Sequence, residues 1–206
     1  MTLLISEVNN LKHAPQVGGV LPVFLERWSP RAFADRDVSP ADLAKVFEAA
    51  RWAASSGNSQ PWRFLVGVRN SETHRKIHEA LVDFNQEWAG RAPVLILGTA
   101  LAVSATGKPN AYALYDLGAA AAYLTLQAAS QGLVTHQMGG FVHDTARRLL
   151  EIPENYVLGS VIALGYQGEP ASLPNPKLIE REIASRERKP LSEIAFSAWN
   201  APQIFS

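Results

Sequence analysis

The sequence contains no cysteine and carries no net charge. Without cysteine, the 206-residue chain has no disulfide, no thiolate metal ligand and no cysteine nucleophile. Nineteen basic and nineteen acidic residues balance to a pI near 7.0, so no long-range field attracts nucleic acid or an anionic membrane. We therefore expect a cytoplasmic protein that binds neither nucleic acid nor membrane.

Familiar catalytic and targeting motifs are also missing. The chain has no G-x-x-x-x-G-K-[ST] phosphate loop, no G-x-G-x-x-G fingerprint and no G-x-S-x-G nucleophile elbow. The apolar run near the N-terminus is too short for a signal peptide. Residues 117–134 lack formal charge, but their small and polar side chains favour a buried helix over a membrane span. A conventional nucleotide site and serine-hydrolase chemistry are therefore disfavoured.

What is present is enough apolar sequence for one domain. Apolar residues make up 47% of the chain, and strand-like and helix-like patterns alternate along it. Residues 1–19 show no sustained period and are predicted to form an N-terminal arm, with a single domain over 20–206. Strands are predicted at 64–68, 93–100, 133–136 and 156–166. Helices are predicted at 20–27, 39–54, 71–85 and 112–131, and a loop at 104–110.

One polar stretch at 53–62, A-A-S-S-G-N-S-Q-P-W, lies between a helix pattern and a strand pattern. Ser55, Ser56 and Asn58 supply donors and acceptors beside Gly57, which favours a turn. Two interpretations remain open from these residues alone. The stretch is either a loop whose polar groups cap the end of a helix or a cradle for a polar or phosphorylated ligand.

Two clusters of basic residues lie near opposite ends of the domain. Arg27, Ser29 and Arg31 crowd a predicted helix exit, where proline disfavours continuation of the helix. Arg186 and Arg188 are two residues apart and project to the same side if that segment is extended. Either cluster is a solvated basic turn or an anion clamp, because guanidinium groups and a hydroxyl can share the oxygens of a phosphate.

The helix pattern at 112–131 is apolar or small on nearly every side. A domain of this size has little depth to enclose such a helix, so we infer that a second copy of the chain covers one face. After this helix, Gly139 and Gly140 form either a tight turn or a pair of bare amide donors facing a ligand. His74 and His78 have the spacing of a metal pair, but no third ligand is evident, so we expect exposed histidines and no metal.

Seven segments follow one another over roughly residues 24–196: R-W-S-P-R-A-F, E-A-A-R-W-A-A-S-S-G-N-S-Q-P-W-R-F, A-P-V-L-I-L, D-L-G-A-A-A-A-Y-L-T-L-Q-A-A-S-Q-G-L, M-G-G, I-A-L-G-Y and R-E-R-K-P-L. In this order they resemble the nitroreductase family of FMN-dependent oxidoreductases. The resemblance implies an α+β fold with a mixed central β-sheet flanked by helices. It also implies an intertwined homodimer, FMN at the interface and a C-terminal segment that wraps the partner.

The resemblance assigns roles to individual residues. Those matching cofactor-binding positions are Arg27, Ser29, Arg31, Ser55, Ser56, Asn58, Asn85, Gly139, Gly140, Arg186 and Arg188. The arginines and Ser29 fall where the family grips the phosphate and ribityl chain. Ser55, Ser56 and Asn58 match a loop that faces the partner's flavin. The resemblance places Asn85 near the flavin ring and the glycine amides near flavin N5, with no catalytic side chain because FMN carries the chemistry.

The implied activity is ping-pong transfer of a hydride from NAD(P)H through FMN to a small conjugated acceptor, such as a nitroaromatic or a quinone. The chain departs from many members by carrying Gln137 and Gly139 where they have proline and glutamate. Alternatives are another flavin reaction such as ene reduction, a non-catalytic flavin-binding protein, or a dimeric scaffold. Phe84, Trp88 and Tyr112 either wall the pocket or pack in the core or interface.

Overall fold

The computed structural model describes residues 3–103 and 106–204, and its centre is a four-stranded sheet. The strands are β1 (Trp62–Val68), β2 (Val94–Leu101), β3 (Val134–Met138) and β4 (Tyr156–Gly165), in the order β1-β2-β4-β3. The predicted α+β fold with a central sheet is confirmed, although all three pairings in the described chain are antiparallel where a mixed sheet was expected. The reason is that β4 inserts between β2 and β3, which run in the same direction but do not touch.

The two central strands are buried on both faces. Along β2, Leu95 and Leu97 pack into one apolar cluster, while Val94 and Ile96 pack into another on the opposite face. This split follows from the alternation of side chains along a strand. Because both faces are covered, the strand reads as a continuous apolar run in the sequence, and its position was predicted within one residue.

Eight helices surround the sheet in the described chain. They are α1 (Ile5–Lys12), α2 (Pro22–Glu26), α3 (Pro40–Arg51), α4 (Glu72–Glu79), α5 (Asp83–Ala89), α6 (Ala113–Ser130), α7 (His143–Leu150) and α8 (Pro176–Ile183). The start of α3 is as predicted, because the Ser39 hydroxyl accepts a hydrogen bond from the amide of Asp42 at 3.1 Å. A short hairpin, β5 (Phe196–Ala198) and β6 (Ala201–Pro202), lies near the C-terminus.

The single helix predicted at 71–85 is in fact two helices. The chain breaks between α4 and α5, where Leu81 forms a β-bridge with Phe141. The amide of Val142 donates to the carbonyl of Ala80 at 2.7 Å, and the amide of Val82 donates to that of Gly140 at 3.2 Å. Tertiary hydrogen bonds to the loop after β3 thus replace the helical ones, and they position the start of α5 beside that loop.

The long helix α6 packs on the sheet with one side only. Leu117 and Leu124 are buried, whereas Tyr115 is 77% exposed and Gly118 and Ala122 also face outward. The C-terminal hairpin likewise exposes apolar side chains, with Trp199 at 90%. Such exposed apolar surfaces are typical of faces that a partner covers.

The predicted N-terminal arm contains an ordered helix. Helix α1 lies against α8, and the side chain of Val8 is fully buried. The lack of a sustained apolar period in residues 1–19 did not indicate it, because a two-turn helix needs few apolar contacts. The loop predicted at 104–110 is described from residue 106 on, and its first two residues lie outside the described part. No helix in the described ranges combines the length and apolarity that a bilayer crossing requires.

Candidate functional site

A cavity of about 210 Å³ collects basic residues from both ends of the chain. We call it the arginine cavity. It is lined by Lys12, Arg27, Trp28, Ser29, Ser185, Arg186 and Arg188. The two basic clusters that are far apart in sequence therefore meet, and the predicted residues Arg27, Ser29, Arg186 and Arg188 share one cavity. Helix α8 makes this possible, because it ends just before the extended segment that carries Arg186 and Arg188.

The arginines of the cavity are held by main-chain and hydroxyl oxygens. Arg27 donates from Nη2 to the hydroxyl of Ser29 at 3.1 Å. Arg186 donates from its two terminal nitrogens to the carbonyls of Leu25 and Arg27. Arg188 is exposed, and its Nη1 donates to the carbonyl of Glu187 at 2.7 Å. Arg186 thus fixes the chain at the end of α2, while Arg188 remains open to a ligand.

The electrostatics of the cavity favour an anion. Burial, followed by the positive charges of Arg186 and Arg188, lowers the pKa of Arg27. The Nε of Arg27 is buried and has no hydrogen-bond partner among the described residues. A buried charged donor without a partner is unusual in a folded protein. An oxyanion would satisfy this donor and reduce the repulsion among the guanidinium groups.

Arg31 lies outside the lining of the arginine cavity. Its guanidinium carbon is 5.9 Å from the centre of the Trp88 ring, and its buried Nε also lacks a described partner. Its main-chain amide donates to both carboxylate oxygens of Glu182 at 2.9 Å. The three residues predicted as one clamp at the helix exit therefore divide, with Arg27 and Ser29 on the cavity and Arg31 beside it.

Glu182 is a buried carboxylate that sequence reasoning missed. It is 1% exposed and also accepts a hydrogen bond from the amide of Ala32 at 3.0 Å. Burial raises the pKa of Glu182, against the two main-chain amides and the charge of Arg31, which lower it. The available signal was its spacing four residues after Leu178, which places both side chains on the buried face of α8.

His136 is a second residue that sequence reasoning missed. It lies on the edge strand β3, and its Nδ1 is 3.1 Å from the carbonyl oxygen of Pro30. That oxygen can only accept, so Nδ1 carries the proton and donates it. Burial, followed by the charge of Arg31, lowers the pKa of His136 to about 4, so the ring is neutral at pH 7. The alternation of β3 points it to the inner side, where it packs 4.7 Å from the ring of Trp88.

Asn85, Gly139 and Gly140 come together at the end of β3. Asn85 is 9% exposed and donates from Nδ2 to the carbonyl of Gly140 at 2.9 Å. A Cβ atom on Gly140 would lie only 2.7 Å from that nitrogen, which explains the need for glycine there. Neither glycine amide donates a hydrogen bond within the described chain. Two free amides at a sheet edge suit an acceptor atom on a ligand.

The polar stretch at 53–62 lies elsewhere on this chain. Ser56 donates from its amide to the buried carboxylate of Asp116 at 3.2 Å, and Ser55 accepts from the amide of Gln60 at 3.0 Å. Ser56 and Asn58 are exposed, and neither they nor Ser55 line the arginine cavity. Helix α3 ends at Arg51 with Trp52 as its C-cap, so the polar groups of this stretch do not cap that helix. The loop is anchored to α6 instead.

The remaining candidates fall into packing roles on this chain. Trp88 is fully buried and stacks on Phe33, so it belongs to the core, while Tyr112 is 57% exposed. His74 is buried rather than exposed, and its Nε2 is 2.9 Å from the carbonyl of Ala92. His78 likewise has its Nε2 3.0 Å from the carbonyl of Gln86. Among the described residues, no group of three or more side chains could hold a metal ion.

An α+β domain with an electropositive cavity and a bare-amide loop at the sheet edge defines a class of protein rather than one activity. The comparison with known families specifies that class further. The model of the Nitroreductase family matches residues 25–87 and 78–166, which is more than half of the chain. The chain belongs to the nitroreductase family and is an oxidoreductase of that family.

Individual relatives agree with this assignment. A homologue from Archaeoglobus fulgidus, provisionally named as an NADH dehydrogenase/NAD(P)H nitroreductase, is 34% identical over 154 residues, covering 71% of this chain and 84% of that protein. A solved structure described as an oxidoreductase containing FMN is 36% identical, with a TM-score of 0.84 and coverage of 96% and 97%. A nitroreductase family protein from Clostridium difficile is 27% identical, with a TM-score of 0.66 and coverage of 85% and 95%.

Proposed function

We propose that this protein binds FMN and uses it to pass reducing equivalents from NAD(P)H to a small conjugated acceptor, such as a nitroaromatic or a quinone. The observation that carries the proposal is the arginine cavity, where the buried Nε of Arg27 lacks a partner. A phosphate dianion fits this donor set, because guanidinium groups bind phosphate oxygens through paired, charge-assisted hydrogen bonds. The similarity to an oxidoreductase containing FMN supports the same cofactor.

Two groups of residues would bind the two ends of the ligand. Arg27, Ser29 and Arg188 would hold the phosphate. The amides of Gly139 and Gly140 would donate to the flavin ring, beside an Asn85 side chain that is already fixed by its hydrogen bond to Gly140. Fixed donors aimed at a group that gains electron density stabilise its reduced form.

The chemistry itself belongs to the cofactor, which when bound takes up a hydride from a nicotinamide and reduces an acceptor. We propose that donor and acceptor use the same pocket in turn, which gives ping-pong kinetics. The absence of a G-x-G-x-x-G fingerprint agrees with this, because the nicotinamide then needs no dedicated nucleotide fold. The protein's contribution is to bind, orient and exclude water.

A homodimer is part of the proposal. The outward face of α6 and the C-terminal hairpin present apolar side chains that a second copy of the chain would cover. The exposed loop with Ser55, Ser56 and Asn58 would then face the partner's flavin, which accounts for its distance from the site on its own chain. Its anchor, the hydrogen bond from Ser56 to Asp116, ties the loop to the same helix.

The first experiment asks whether the purified protein is yellow and whether NAD(P)H bleaches it without oxygen. Protein that stays colourless when FMN is added would refute the proposal. Yellow protein that no nicotinamide reduces would favour a non-catalytic flavin-binding protein. Screening nitroaromatics, quinones and activated alkenes against the reduced protein would then separate nitro or quinone reduction from ene reduction.

The second experiment tests the residues. Arg27→Ala and Arg188→Ala should each weaken FMN binding on the order of 10- to 100-fold, the effect of losing a charged hydrogen bond. Arg148→Ala is the matched control, because Arg148 is an exposed arginine on α7. Equal FMN affinity in all three variants would show that the arginine cavity does not bind the phosphate.

A further inference from the structure

Hydrogen bonds of Asn9 and packing of Val8 fix helix α1 beside the arginine cavity. The Oδ1 of Asn9 accepts from Nε1 of Trp28 at 2.9 Å and from Nε2 of Gln167 at 3.1 Å. Val8 is fully buried on the same helix. These contacts join α1 to the Arg27–Arg31 turn and to the chain that follows β4, so the helix has a defined position relative to the cavity.

The last residue of α1, Lys12, reaches into the arginine cavity. It is a cavity-lining residue and only 7% exposed, which is unusual for lysine. Its Nζ lies 4.8 Å from the centre of the Trp28 ring and donates to the carbonyl of Arg181 at 3.3 Å. An ammonium has three N–H donors and the carbonyl of Arg181 accepts from one of them, so Lys12 can also donate to a ligand.

The charges around Lys12 favour a bound anion. Burial lowers the pKa of Lys12, and the charges of Arg31 and Arg186 add to that effect, while Glu182 opposes it. Placing an ammonium among guanidinium groups costs free energy unless an anion joins them. The unpartnered Nε of Arg27 also indicates an anion in the cavity. Lys12 lies on a different helix, so its burial there is a second, independent observation.

We propose that α1 completes the phosphate subsite and that Lys12 binds the FMN phosphate together with Arg27 and Arg188. This inference rests on the proposed function, because it needs FMN in the arginine cavity. The matched family segment begins at residue 25 and therefore assigns no role to α1. The role of the N-terminal segment is then to select the phosphorylated flavin.

The test compares FMN with riboflavin, which lacks the phosphate. Dissociation constants are measured by flavin fluorescence quenching on full-length protein freed of flavin. Lys12→Met keeps the length of the side chain and removes the charge, so it should weaken FMN binding on the order of 10- to 100-fold and leave riboflavin binding unchanged. Lys12→Arg should restore FMN binding. Lys45→Met is the control, because Lys45 is on the surface of α3 and pairs with Asp42.

Each outcome bears on a distinct claim. If wild-type protein does not bind FMN, the proposed function fails, whatever Lys12 does. If wild-type protein binds FMN, two results would overturn the inference and make Lys12 a structural residue. Either Lys12→Met weakens FMN binding and riboflavin binding equally, or it changes neither. If Lys12→Met does not fold, Lys12→Gln replaces it, because an amide retains a donor for the carbonyl of Arg181. Unchanged selectivity for FMN over riboflavin in that variant would equally overturn the inference.

Discussion

Lowering the pH should destabilise the protein through one partly buried histidine, His136. Burial and the charge of Arg31 lower its pKa from 6.5 to about 4 in the folded protein. In the unfolded chain a histidine titrates near its ordinary pKa of about 6.5. Below about pH 6.5 the unfolded state takes up a proton that the folded state does not, so unfolding becomes progressively more favourable. The loss is complete once the pH falls below the folded pKa.

The size of the effect follows from the two pKa values. Each pH unit between about 6.5 and 4 contributes about 1.4 kcal/mol, so the free energy of unfolding should fall by about 3 kcal/mol through His136 alone. A typical domain is stable by about 5–15 kcal/mol, so this is a large share. The protonated ring would also lie beside Arg31, and the Arg27–Arg31 turn should loosen first.

The assay is urea unfolding followed by tryptophan fluorescence, from about pH 7 to about pH 4, at constant protein concentration. His136→Asn keeps an amide donor for the carbonyl of Pro30 but cannot titrate. The variant should start less stable because of the smaller side chain, and its stability should then fall less steeply with acid than that of wild type. His13→Asn, at an exposed histidine, is the control. A difference between wild type and His136→Asn that is the same at every pH would refute the reasoning.

Two further predictions concern folding stability. Glu182→Ala should lower the free energy of unfolding in urea by about 3–5 kcal/mol, because the main-chain amides of Arg31 and Ala32 lose their acceptor and nearby cations lose a counter-charge. Glu180 is exposed on α8, so Glu180→Ala is the control, and an equal decrease in both variants would contradict the prediction. Gly140→Ala should cost about 1–3 kcal/mol, because the added Cβ would lie 2.7 Å from Nδ2 of Asn85. Gly139→Ala has open space and serves as its control; equal melting temperatures would argue against the clash.

The parts of the fold that the sequence predicted are those set by local pattern. Continuous apolar runs gave the strands, and Ser39 followed by proline gave the start of α3. The split between α4 and α5 was not predicted, because the bridge from Leu81 to Phe141 is a tertiary contact with no local sequence signal. The sheet order was not predicted either, because the sequence of β4 contains no local signal that it pairs with both β2 and β3.

The lining of the arginine cavity was predicted in part, and the difference between predicted and unpredicted residues has a physical cause. Arg27, Arg186 and Arg188 were identified because clustered arginines are conspicuous in any sequence. Glu182 and Lys12 were not, because a single acid or lysine on a short helix is ordinarily solvated and only its burial makes it unusual. Burial of a charge depends on what the rest of the chain places around it, and a local pattern does not contain that information.

The arginine cavity also bears on the stability of the fold. Its walls come from α1, from the turn after α2 and from the segment after α8, so residues from opposite ends of the chain must converge before the cavity exists. Convergence brings Lys12, Arg27, Arg186 and Arg188 together, and among the described residues the buried carboxylate of Glu182 opposes the effect of these charges on Lys12. An anion bound there removes a repulsion that folding alone creates, so its binding free energy adds to the stability of the native state. Under the proposed function, the cations that bind the phosphate would therefore make FMN part of the folded structure.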